Sequence, residues 1–269
     1  MNVRERNNVR VLGAEGDGVP TLMLAHGFGC DQNMWRLVAA PLSRRYRIVL
    51  FDHAGSGRSD PSAWDADRYA TLDSYARDVL DIVDELELRD VVFVGHSVAA
   101  MMGVLAACAR PEAFAKLVLV APSPRYIDDG DYRGGFSRAD IDDLLESLDS
   151  NYLGWSQAIA PTIMGASDRP ELAEELAESF CRTDPACARV FARTTFLSDN
   201  RADLPLVAVP TLVLECAEDA IAPTGVGAYV AQQITSSHLI TLDTDGHCPQ
   251  LTLPEATAAA IASFVDGTS

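Results

Sequence analysis

"VVFVGHSVAAMMG", Val91 to Gly103, decides how the rest of the chain is read. A run of β-branched and aromatic residues stops at Gly95, and a helix of small apolar residues begins at Val98. Ser97 stands alone between the two. Gly95-His96-Ser97-Val98-Ala99 nearly fits G-x-S-x-G, the strand–turn–helix elbow that presents a nucleophilic serine. The positions flanking such a turn must be small, because strand and helix backbones approach closely there. Ala99 takes the place of the second glycine. The context points to Ser97 as a nucleophile; the alternative is a serine that only caps the helix.

Working outward, short apolar runs alternate with helical patterns. "TLMLAHG" (Thr21 to Gly27), "YRIVLFDH" (Tyr46 to His53), "DVVFVGHS" (Asp90 to Ser97), "KLVLVAP" (Lys116 to Pro122), "TLVLECAED" (Thr211 to Asp219) and "HLITLDTDGH" (His238 to His247) read as strands. Most are too uniformly apolar to have a wet face, which suits parallel strands covered on both sides. Leu72, Tyr75, Ala76, Val79, Leu80 and Val83 recur at helical spacing, with Thr71 placed to cap. Val98 to Ala109 reads as a second helix, ended by Arg110-Pro111. This order predicts an α/β fold with a mostly parallel, doubly wound sheet flanked by helices, with Val9 to Leu12 antiparallel at one edge.

The alternation stops between Tyr126 and Asn200. "SRADIDDLLESLDSNY", "GWSQAIAPTIM", "RPELAEELAESFC" and "PACARVFARTTFL" are helical and carry no strand signal. We expect residues 124–201 to form a helical cap inserted into a core made of residues 1–123 and 202–269.

A serine hydroxyl needs a base to take its proton and an acid to orient that base. His96 adjoins Ser97 but points elsewhere on a turn, His26 and His53 follow earlier strands, and His238 begins one. His247 closes the last strand, where Gly246 gives its loop freedom. The chain order serine, acid, histidine also favours it. Asp219 ends the strand "TLVLECAED" on the edge that carries Ser97, with Glu218, Asp243 and Asp245 as rivals. A tetrahedral intermediate needs two backbone N–H donors. Val98, after the nucleophile, supplies one, and Phe28 in "HGFGCDQ" is the expected second.

Composition narrows the rest. The formal charge of −18 repels phosphate backbones and argues against nucleic acid. No apolar run is long enough to cross a bilayer, and "MNVRERNNVR" lacks the apolar stretch of a secretory signal, so the expected location is the cytoplasm. Six scattered cysteines, Cys30, Cys108, Cys181, Cys187, Cys216 and Cys248, form no C-x-x-C pair and read as buried small hydrophobes. Cys30 and Cys248 sit beside the site motifs and are placed to touch a pocket. No metal motif occurs, and "HAGSGRS" lacks dinucleotide-loop spacing; no metal or cofactor is expected.

"HGFGCDQNMW", "FDHAGSGRSD", "GHSVAAMMG", "APSPRYIDDGDYRGGF", "NYLGWS", "CAEDAIAP" and "GHCPQL" together resemble the α/β-hydrolase group that holds the bacterial stress regulator RsbQ and the plant strigolactone and karrikin receptors. The resemblance runs over nearly the whole chain and looks closer to the bacterial branch through the segment from Arg169 to Leu204. It implies a Ser97, Asp219, His247 triad, oxyanion donors at Phe28 and Val98, and a V-shaped four-helix cap over an apolar pocket. It implies that Phe28, Tyr126, Phe136, Trp155, Ile159, Phe196 and Ile221 line that pocket. Two functions fit. One is a serine hydrolase for a small hydrophobic ester or lactone, butenolide-like compounds included. The other is an RsbQ-like sensor that binds or slowly cleaves a ligand and engages a protein, for which the resemblance implies a PAS-domain phosphatase. Haloperoxidase or C–C bond hydrolase chemistry would use the same triad.

Overall fold

A computed structural model describes residues 2–267. Its centre is a seven-stranded sheet of β1 (Arg10–Gly13), β2 (Thr21–Ala25), β3 (Arg47–Leu50), β4 (Val91–His96), β5 (Phe114–Val120), β6 (Thr211–Glu218) and β7 (Ser237–Asp245), in the order β1-β3-β2-β4-β5-β6-β7. β1 runs antiparallel to β3 at one edge, and every other pairing is parallel. The chain leaves β2 toward β3 on one side and returns to β4 on the other. The order therefore reverses between β2 and β4, where Ala25 pairs with Gly95. In such sheets ligands bind beyond the strand ends at the reversal. Phe28 and Ser97 both follow that point.

Every residue of β2 and β4 is buried, as their unbroken apolar runs require. Alternate residues face opposite ways. Leu22 and Leu24 join a core with α2 (Arg36–Leu42), α10 (Pro249–Thr252) and α11 (Pro254–Asp266), beyond a short α1 (Val3–Arg6) at the N-terminus. Met23 and Ala25 join a second core with α3 (Leu72–Glu85), α4 (Val98–Ala109) and α9 (Val226–Gln233). β7 departs from the uniformly apolar expectation: it is an outer edge, and Leu239 and Ile240 are exposed despite their chemistry. Thr71 does stand at the start of α3, but its side chain makes no capping bond.

Between β5 and β6 the chain forms α5 (Arg138–Ser150), α6 (Tyr152–Met164), α7 (Pro170–Arg182) and α8 (Pro185–Phe196), with no named strand among them. Local chemistry sets their ends. Ser137 and Asp140 exchange bonds in a capping box at α5, and Asp184 caps α8 with its carboxylate. Gly165, at φ +69°, ends α6 in the left-handed conformation. The ends of this insertion meet where Asn200 N–H donates to the Pro124 carbonyl at 2.8 Å. Among the described residues no helix is long and apolar enough to cross a membrane.

Candidate active site

Ser97 sits on the turn between β4 and α4 with φ +56° and ψ −125°, a sparsely populated conformation for a residue with a side chain. The turn is closed tightly enough that a Cβ on Gly95 would lie 2.5 Å from the Ala99 carbonyl oxygen. That contact explains why glycine is needed at 95. The turn is held from below, where Ser97 N–H donates to the Val120 carbonyl at 2.8 Å.

Ser97 Oγ lies 2.7 Å from His247 Nε2, and His247 Nδ1 lies 2.6 Å from Asp219 Oδ2. The carboxylate accepts only, so the His247 proton sits on Nδ1 and leaves Nε2 free to accept from the serine. Asp219 Oδ1 accepts from the N–H groups of Ile221 at 2.8 Å and Ala222 at 3.0 Å. Burial works to raise the Asp219 pKa, but His247 and those two N–H groups outweigh it, and the net shift is downward. Its rivals Glu218, Asp243 and Asp245 are all exposed.

Two backbone N–H groups near Ser97, those of Phe28 and Val98, are candidates for the oxyanion donors. Val98 begins α4, so its N–H has no partner within the helix. Gly27 packs against Ser97, since a Cβ on it would lie 3.3 Å from Ser97 Cβ. The Gly27 carbonyl is taken by His26 Nδ1–H at 2.9 Å and Cys30 N–H at 3.4 Å. In a trans peptide C=O and N–H point in opposite directions, so the Phe28 N–H faces away from those groups. Neither the Phe28 nor the Val98 N–H is hydrogen-bonded among the described residues.

Above Ser97 lies a cavity of ≈ 30 Å³ walled by the insertion and the core, room for about one or two waters. Phe28, Tyr126, Trp155, Ile159, Phe196 and Ile221 line it, and so do Cys30 and Cys248. Phe28 stands at the middle of the aromatic wall, with ring centroids 5.6 Å from Phe180, 6.0 Å from Phe196 and 6.2 Å from Trp155. The Tyr126 hydroxyl is 3.5 Å from Ser97 Oγ, and burial raises its pKa, so it stays protonated.

The sequence pattern of the alpha/beta hydrolase family matches residues 22–260. The chain belongs to that family. It is 41% identical to a strigolactone esterase, D14, of Arabidopsis thaliana over 98% of this chain and 96% of the relative. It is 39% identical to karrikin insensitive 2 receptor CA of Petunia hybrida, covering 94% and 93% of the two chains. A solved hydrolase from Oleispira antarctica superposes with a TM-score of 0.95 at 38% identity, covering 98% of this chain and 96% of the other. At 22% identity an enol-lactonase from Burkholderia xenovorans LB400 shares the fold, with a TM-score of 0.84 over 96% and 95%.

Within this alpha/beta hydrolase the wall differs from expectation at one point. Phe136 does not line the cavity. It pairs through its backbone with Ile127, and its N–H donates to the Tyr126 carbonyl at 3.2 Å, which places it on the loop beside Tyr126. Leu144, Ile163, Leu176, Phe180 and Thr195 line the cavity instead, from α5, α6, α7 and α8. A signal for some of them was present: Trp155, Ile159 and Ile163 repeat every four residues on α6, as do Leu172, Leu176 and Phe180 on α7. The same region also holds more buried imidazole than one base requires. His26, His53 and His96 are all buried, and burial lowers the pKa of each, that of His96 to about 3.

Proposed function

We propose that the chain is a serine hydrolase that cleaves a small hydrophobic carboxylic ester or lactone through an acyl-enzyme. The observation that carries this is the unbroken hydrogen-bonded path from Ser97 Oγ through His247 to Asp219, at 2.7 Å and 2.6 Å. Ser97 Oγ attacks the carbonyl carbon while its proton passes to His247 Nε2. Asp219, ionised, stabilises the imidazolium and keeps the ring in place. The oxyanion is received by the N–H groups of Phe28 and Val98, the second at the positive end of α4. As the intermediate collapses, the alkoxide leaves with the proton from Nε2. Water then repeats the sequence: it gives a proton to His247, attacks the acyl carbon, and Ser97 Oγ departs with the proton.

Residues 124–201 serve on this reading as a cap over the core of residues 1–123 and 202–269. Its aromatic and aliphatic side chains select an apolar acyl or lactone ring, and the tight cavity favours small substrates. We place the reaction in the cytoplasm, where six free thiols are at home. The test is steady-state hydrolysis of a p-nitrophenyl ester and a butenolide lactone by wild type and Ser97→Ala. Loss of turnover on the order of a millionfold supports the reading; retained turnover in the variant would sink it.

The cavity's size favours a second reading. A ligand larger than a few atoms must displace side chains of α6 and α7 to reach Ser97, so binding would alter the cap. That suits a sensor, in keeping with relatives named as karrikin insensitive 2 receptors. In this case turnover is slow, and a protein partner, a PAS-domain signalling protein by the resemblance, recognises the altered cap. Ligand-dependent capture of that partner supports the sensor; identical capture with and without ligand removes it.

A further inference from the structure

His96 precedes the serine, and the sequence alone suggests an imidazole that points elsewhere. In the folded chain its imidazole lies beside His247, with ring centroids 5.0 Å apart. Its Nε2 is 2.7 Å from the His247 main-chain carbonyl, across 151 residues of sequence. A carbonyl only accepts, so Nε2 carries the proton and donates. Nδ1 is buried with no hydrogen-bond partner among the described residues. It lies against Gly27, where an added Cβ would come within 2.7 Å of it. One side chain thus stands between the loop that bears the Phe28 donor and the loop that bears the base.

The backbone of His96 is fixed, because it belongs to β4 and pairs in register with Val120. Its side chain therefore ties the His247 loop to the same strand that carries Ser97. The other peptide group of His247 is held too, its N–H donating to the Ile163 carbonyl at 2.7 Å. With both groups taken, the residue cannot rotate about its own backbone without losing a buried hydrogen bond, which is costly to leave unmade. We infer that His96 is a positioning residue: by holding the His247 carbonyl it sets the place of the His247 ring relative to Ser97 Oγ. The inference rests on the hydrolase reading, in which that separation governs proton transfer. Burial supports it, since an imidazole held at a pKa of about 3 stays neutral, with one proton, across the neutral range.

Two amide substitutions separate this role from simple packing. His96→Gln places an amide N–H close to the position of Nε2, while His96→Asn is shorter and leaves the carbonyl out of reach. The readout is the rate at which a fluorophosphonate labels Ser97, alongside kcat and KM for a p-nitrophenyl ester and the thermal midpoint. We expect His96→Gln to stay within about threefold of wild type. His96→Asn should fall by about ten- to a hundredfold in labelling rate and kcat, with KM unchanged. Equal rates for two folded variants, whether both high or both low, would overturn the inference. Where His96→Asn does not fold, a folded His96→Gln reduced tenfold or more overturns it, and a near-normal one upholds it. Failure of wild type to be labelled at Ser97 would instead count against the hydrolase reading itself.

Discussion

The amide of His247 donates to the carbonyl of Ile163 at 2.7 Å, so the His247 loop is docked on the last turn of α6. That carbonyl is one of the helix's orphan acceptors, and the His247 loop satisfies it. The contact is close along its length. Gly246 has φ +84°, and a Cβ there would lie 2.0 Å from the Met164 carbonyl oxygen. In the sequence the glycine suggests a free loop, but its place in the fold is one of constraint.

Gly246→Ala should therefore damage both stability and activity. A left-handed φ with a side chain costs about 1–2 kcal/mol, and the backbone clash adds to it. We expect a lower thermal midpoint together with a kcat reduced more than KM is raised. A variant with wild-type midpoint and kcat would show that α6 and the base loop do not pack as described.

Asp219→Asn tests the acid. The substitution keeps the shape but offers His247 Nδ1 an amide that can donate as well as accept, so the imidazole adopts the wrong tautomer. A fall in kcat of roughly 10⁴-fold is expected. The same change at Glu218, Asp243 or Asp245, all exposed, should leave kcat near its wild-type value. A comparable loss at any of those three would reassign the acid.

The buried histidines predict how stability depends on pH. His26, His53 and His96 have pKa values lowered from 6.5, chiefly by burial. The unfolded chain therefore takes up protons on these groups as pH falls below about 6.5, while the native state does not. Their stability contribution is complete above that pH and is lost progressively toward lower pH, down to about 3 for His96. Each group adds about 1.4 kcal/mol per pH unit to the slope within its window. Denaturant unfolding at pH 7, 6 and 5 should show this loss, and His96→Gln should lessen the slope by one proton. A stability that rises on acidification from pH 7 to pH 5 would contradict the burial of all three.

Phe180 seals the cavity from α7 and is buried to 1% exposure, with its ring against Gly29. Phe180→Ala should cost about 3–5 kcal/mol, read as a lower denaturant midpoint. It should also shift preference among p-nitrophenyl esters toward longer acyl chains. An unchanged chain-length profile would show that the acyl group lies elsewhere.

Much of this arrangement was legible in the residues. The strand–Ser97–helix stretch, the order Ser97, Asp219, His247 and the four helical segments of the insertion all depend on local pattern, and the elements fall where the pattern puts them. The cavity wall was less legible, because it depends on how far each of α5 to α8 is rotated against the core. Phe136 is aromatic and lies within residues 124–201, yet it sits on the loop beside Tyr126 and not in the wall; Phe180 and Leu176 look like helix core and line the cavity. The His96–His247 bond could not be read at all, since it joins residues 151 positions apart through a side chain that looks like part of the elbow. Gly246 and Gly27 are of the same kind, as their need for glycine comes from Met164 and His96.

The most direct test of the account is intact-protein mass spectrometry on samples quenched during turnover of p-nitrophenyl acetate, with wild type beside Ser97→Ala. The account predicts a single acetyl adduct on the wild type, mapped to Ser97, and none on the variant. An adduct on another residue, or turnover by the variant within about tenfold of wild type, would contradict it.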